Sequence, residues 1–164
     1  MFSIGEYVVY GSKGVCTVED ISTLNLPDVD SDREYYILKP LYIQSSTVYV
    51  PIDASDSLRK VLNKTQAKKL IKLIPDIPLI ENIPDKLLEQ EYKVSIRSNS
   101  CEEWVKIIKT IYRRKQKRIE AGRKITAVDA KYSRMAEDSL YGELAVALGM
   151  PKDEVEDYIT SEIA

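Results

Sequence analysis

Tyr7-Val8-Val9-Tyr10-Gly11-Ser12-Lys13-Gly14-Val15-Cys16-Thr17-Val18 sets the fold class near the start of the chain. A short apolar run meets a turn cluster bounded by glycines, and a second run rich in β-branched residues continues through Glu19-Asp20-Ile21. Working outward, Asn25 to Asp32 contains Pro27 and three aspartates and reads as a loop. Tyr35-Tyr36-Ile37-Leu38-Lys39 and Thr47-Val48-Tyr49-Val50-Pro51-Ile52 are two further strands. Four or five short strands with turns at this spacing predict a small barrel or strongly bent sheet, SH3-like or Tudor-like.

The grammar changes near residue 64. Lys68, Lys69 and Lys72 share a short helix with Ala67, Leu70, Ile71 and Leu73. Pro75 to Pro84 is proline-punctuated and reads as a linker between elements, with Pro84 suited to the first turn of the next helix. That helix carries Leu87, Leu88, Tyr92 and either Val94 or Ile96. Ser100 to Glu103 has the form of a capping box. It opens a helix whose Trp104, Ile107, Ile108, Ile111 and Tyr112 form one apolar stripe at helical spacing. Thr126 caps a longer helix with Val128, Tyr132, Met135, Leu140, Leu144 and Leu148 mostly inward, ending at Gly149. Pro151 begins a last amphipathic segment through Val155, Tyr158 and Ile159. The expected class is α+β, with the β part first: a small barrel over residues 1–62 and a compact helical bundle over 63–164, the linker falling at about 75–84.

Composition excludes several classes of activity. The chain of 164 residues is 44% hydrophobic and contains no histidine, which removes Ser-His-Asp and Cys-His catalysis and the commonest general base. Gly11-Ser12-Lys13-Gly14 lacks the spacing of a P-loop. A structural zinc site needs about four Cys or His ligands, and the two cysteines, Cys16 and Cys101, are remote in sequence. They are expected to be buried free thiols of a reducing compartment. No apolar run approaches the roughly 20 residues of a membrane span, and the N-terminal residues do not read as a signal peptide. The expectation is a cytoplasmic binding protein without catalytic residues, metal or cofactor. No coiled-coil seam is marked, which favours a monomer.

Charge is unevenly spread. Met1 to Ser57 holds 3 basic and 9 acidic residues, Lys106 to Lys124 holds 9 basic and 1 acidic, and Glu137 onward holds 1 basic and 8 acidic. The basic cluster is Lys106, Lys109, Arg113, Arg114, Lys115, Lys117, Arg118, Arg123 and Lys124. A solvated helix face with cations near its C-terminus explains a few of these through the macrodipole. The density points further, to a surface for nucleic-acid phosphates that contacts backbone and shape and does not read bases. An anionic lipid surface is the weaker reading, because the apolar face of this helix is committed to the bundle.

Phe2-x-Ile4-Gly5-Glu6-x-Val8-Val9-Tyr10 followed by Lys13-Gly14-Val15 is similar to the opening of the CarD/CdnL family of bacterial RNA polymerase-binding regulators. Tyr35-Tyr36-Ile37-Leu38, Val48-x-Val50-Pro51 and Leu58-Arg59-x-Val61 resemble its later strands, a module shared with the transcription-repair coupling factor. Tyr112-Arg113-Arg114 and Leu140-Tyr141-x-Glu143-Leu144-Ala145 resemble its helical domain. The resemblance implies a barrel that docks on the polymerase β subunit by strand addition, around Val48, Tyr49 and Val50. It also implies a helical domain at promoter DNA near the upstream edge of the bubble, with Lys93 beside the DNA; from the charge cluster, Arg113, Arg114, Lys117, Arg118, Arg123 and Lys124 are the further candidates for that contact. Where the family carries a DNA-wedging tryptophan, ahead of the Tyr92-Lys93 pair, this chain has Leu88. Leucine can wedge a minor-groove step or can be an ordinary core residue. A protein-protein adaptor whose basic helix is merely solvated stays open beside the regulator.

Overall fold

The computed structural model describes the backbone of residues 1–164 and every side chain but that of Ser12. Strands β1 (Tyr7–Tyr10), β2 (Gly14–Thr23), β3 (Glu34–Pro40), β4 (Val48–Pro51) and β5 (Leu58–Lys60) form one antiparallel sheet in the order β4-β3-β2-β1-β5. The β1–β2 connection is a single 3-10 turn over Gly11–Lys13. It closes on Gly14, whose φ of 71° and ψ of −146° suit a residue without a Cβ. Strand β2 is long and carries a register shift between Val18 and Asp20, a bulge that bends the sheet onto itself. This is the Tudor-like, barrel-type module that the strand pattern predicts.

Strand β1 shows why the apolar run does not alternate. Successive strand residues face opposite sides of a sheet, yet Val8 and Val9 are both 0% exposed. Val8 points into the barrel with Cys16, Val18, Tyr36, Leu38, Val50 and Leu58. Val9, with Val15, points the other way and joins the core of the helices. The sheet is therefore covered on both faces here, which is the condition for a continuous apolar strand.

Five helices follow: α1 (Lys64–Leu73), α2 (Asp85–Arg97), α3 (Cys101–Glu120), α4 (Ala127–Leu148) and α5 (Val155–Ile163). Asn63 caps α1 reciprocally with Gln66. Ser100 accepts from the Glu103 amide, but the Glu103 carboxylate turns to Ser95 and Lys106, so the anticipated box is only half formed. Thr126 caps α4, and Gly149 ends it in the left-handed region. Trp104, Ile107 and Ile111 are fully buried as the stripe requires, while Tyr112 lies outside it and is exposed. On α2 the buried apolar positions are Leu88, Tyr92 and Ile96, one per turn, with Ser95 buried beside them. Val128, expected mostly inward, is exposed, as are Leu87, Val94 and Leu73, because they fall off the packed face; of the alternatives Val94 and Ile96 it is Ile96 that is buried. The stretch between α1 and α2 is fastened down: Ile77, Ile80 and Ile83 pack on the core, and the Ile80 amide donates to Thr110 Oγ1 at 2.9 Å.

Besides the apolar contact at Val9 and Val15, polar contacts join the barrel and the helices at three places. Arg59 on β5 makes a bidentate pair with Glu143 on α4, both contacts at 2.6 Å, and its guanidinium lies 5.6 Å from the Trp104 ring centre. Tyr42, between β3 and β4, donates its hydroxyl to the Gly142 carbonyl at 3.1 Å. The Asn99 amide, in the α2–α3 turn, donates to the carbonyls of Val9 and Ser57 at 3.0 and 2.9 Å.

The α3 stripe makes one expectation direct. Ile107→Ala leaves a cavity where neighbours from several helices converge, and should cost about 2–5 kcal/mol, read as a lowered urea midpoint with an unchanged slope.

Candidate functional site

Strand β4 is an edge of the sheet, paired to β3 on one side only. Its residues alternate as a half-buried strand should: Val50 is buried at 3%, Val48 is half-buried and Tyr49 is exposed at 46%. Tyr49 pairs with Ile37, so an aromatic ring lies on the outer face beside main-chain groups that have no partner strand. Val48 and Val50 hold the edge against the barrel, and Tyr49 is the side chain presented by it.

The basic cluster divides by what each cation touches. Lys109 Nζ donates to the carbonyls of Ile74 and Ile77 at 2.7 and 2.6 Å, holding the end of α1 and the segment after it. Arg114 pairs with Asp129 at 2.8 Å and with Asp85 at 3.2 Å. Asp129 is 1% exposed and also accepts from the Tyr92 hydroxyl, so Arg114 compensates a buried carboxylate. Arg118 Nε donates to the Lys124 carbonyl at 2.6 Å and shapes the turn after α3. Lys106 pairs with Glu103 on its own helix. These four serve the fold. Arg113, Lys115, Lys117, Arg123 and Lys124 are exposed and make no ion pair among the described residues.

Arg113, Arg114 and Lys117 line one concavity of about 330 Å³ beside the 79–83 segment, with Glu81 on its rim. Leu88 lies at the same place but is only 5% exposed and belongs to the core. Of the two readings open for Leu88, wedge or core residue, this burial favours the core residue. Lys93 is half-buried on the same helix and makes no ion pair among the described residues. Sequence reading missed the division between structural and exposed cations. Its signal was the pair of acidic residues, Asp85 and Asp129, at the starts of α2 and α4.

Both cysteines are free and buried. Cys101 Sγ lies 3.1 Å from Glu143 Oε1 and donates to it. No described helix is long and apolar enough to cross a membrane.

A short antiparallel barrel with an open edge strand defines the class, a Tudor-like interaction module. Residues 2–62 match the family model described as the CarD-like/TRCF RID domain, which is consistent with the CarD/CdnL resemblance. The chain thus carries an RNA polymerase-interacting domain of the transcription-related kind. Among curated proteins, none matches the chain.

Burial pushes the Cys16 thiol up from 9.0 to about 11. Burial, reinforced by Glu143, also pushes Cys101 up, and burial raises Tyr92 and Tyr141. The folded chain therefore keeps protons that the unfolded chain releases. Stability from Cys16 should be fully present below about pH 9 and lost as pH rises toward 11, checked by urea midpoints across that window. Alkylation of both thiols should need denaturant at neutral pH.

Proposed function

We propose that this protein is a transcriptional regulator. Its barrel, residues 1–62, holds the RNA polymerase β subunit through the free edge of β4. Its helical part, residues 63–164, lies against promoter DNA near the upstream edge of the bubble and modulates the lifetime of the open complex. The observation that carries the reading is the unpartnered edge of β4 on a polymerase-interacting domain. Main-chain pairing at such an edge supplies affinity without regard to side-chain charge, so the acidic barrel is no obstacle. Tyr49 would lie along the added strand and select the partner.

The DNA half of the reading is supported by the exposed cations. Arg113 and Lys117 lie one turn apart on α3, and Arg123 and Lys124 follow in the turn, where the helix C-terminus also favours positive charge. Arg114 and Arg118 hold this surface in shape, and Lys93 on α2 is a further cation of the reading. Such a surface neutralises phosphates and reads no bases. With the leucine at position 88 packed inside, the contact is one of backbone and shape. Its affinity is correspondingly modest and sensitive to salt.

Two variants of the full chain separate the halves. Tyr49→Glu should lose capture of purified polymerase and keep its affinity for duplex or forked DNA. Arg113→Glu with Lys117→Glu should keep capture, weaken DNA binding and reduce the dependence of log K on log salt by about 2. Unchanged DNA association after that charge reversal would favour an adaptor that uses the barrel alone.

A further inference from the structure

We infer that Arg59, Glu143 and the Tyr42–Gly142 contact are positioning elements. They clasp the barrel to the helical bundle as one rigid body, holding the exposed cations of α3 at a fixed distance and direction from β4. The inference rests on the functional reading above for its consequence at a promoter, but not for the clasp itself.

The geometry at Glu143 is unusual for a residue in the middle of a helix. The side chain is 0% exposed. Its carboxylate accepts two hydrogen bonds from Arg59 at 2.6 Å, one from the Leu62 amide at 2.9 Å and one from Cys101 Sγ at 3.1 Å. These partners come from β5, from the exit of the barrel and from the start of α3. None is on α4, so the carboxylate is satisfied entirely by groups outside its own helix. Taking a carboxylate out of water is unfavourable unless its partners stay in place. Rotating the barrel against the bundle would strip Glu143 of Arg59 and Leu62 together. Arg59 is tied as closely: it also donates to the Asn99 carbonyl at 2.5 Å and lies over Trp104.

A second point acts beside the first. Gly142 precedes Glu143, and the Tyr42 ring lies directly on it. A Cβ built at Gly142 would stand 2.8 Å from Tyr42 Cε2. Lys152 Nζ also lies over the ring, 4.8 Å from its centre. The third point is Asn99, which reaches the main chain of β1 and of the turn before β5. Contacts from β1, β5 and the β3–β4 connection, all received by α4 and the α2–α3 turn, leave no single bond about which the barrel can pivot. Neighbouring residues of the Leu140-Tyr141-x-Glu143-Leu144-Ala145 motif serve two of the three, a role that neither polymerase docking nor phosphate contact explains.

The test uses the full chain. Glu143→Gln keeps the shape of the side chain and removes its charge. Gly142→Ala displaces Tyr42 and leaves the charges of Arg59 and Glu143 in place. Each is examined for folding by circular dichroism, for shape by small-angle scattering, for capture of purified polymerase, and for its effect on promoter-complex half-life. Both variants should remain folded and capture polymerase as the wild type does. Both should broaden the scattering-derived distance distribution and lose the wild-type effect on half-life. A purely stabilising role would leave shape and promoter effect unchanged in variants that remain folded. A wild-type scattering profile in a folded variant therefore overturns the clasp, as does a wild-type promoter effect combined with a broadened profile. Should Glu143→Gln fail to fold, Gly142→Ala decides, with Tyr42→Ala as a second route to the same opening. A wild-type chain without any effect on half-life would count against the promoter reading alone, and the scattering comparison would still decide the clasp.

Discussion

A carboxylate with no access to water stands at the centre of this molecule, and the arrangement around it is organised to make that tolerable. Glu143 can be charged there because Arg59 meets it in a planar, bidentate fork that a lysine could not reproduce. That demand reaches outward. It sets where β5 must lie against α4, where the chain must leave the barrel at Leu62, and where α3 must begin at Cys101. Trp104 gains its place from the same geometry, offering its ring to the guanidinium and its indole N–H to the Ile96 carbonyl. The apolar contact at Val9 and Val15 adds adhesion with less exacting geometry, since dispersion and burial are non-directional.

Much of the fold was legible because local and global signals agreed. The turn glycines, the β-branched runs, Thr126, Gly149 and the Trp104–Ile107–Ile111 stripe each named an element that exists. The exposed apolar residues of the helices share a cause. Leu87, Val94, Leu73 and Val128 are apolar residues at the margins of buried stripes, and hydrophobicity alone does not give the width of a stripe. The segment containing Ile77, Ile80 and Ile83 was read through its prolines, although its isoleucines already said that it would be packed.

The functional surfaces were legible to different depths. An edge strand follows from sheet order, and sheet order cannot be read from strand patterns without knowing that β5 returns to β1. The basic segment was evident as a count, but a count does not say which cations are already employed. Arg114, Arg118 and Lys109 are occupied by groups distant in sequence or in the next turn, and only tertiary structure reveals that. Leu88 shows the same limit from the apolar side: position within a motif aligned it with a wedge, and packing assigned it to the core.

The burial of β1 on both faces bears on how the barrel could be handled by itself. Val9 and Val15 are finished by side chains from the helices. Cut away at residue 62, the barrel would present these valines to water as a bare apolar patch next to an unpaired Arg59. Such a surface invites self-association. A soluble, excised barrel would call for polar residues at positions 9 and 15, outside the strand that faces the partner. The module is compact in sequence yet unfinished as an object, and its missing wall is the rest of the chain.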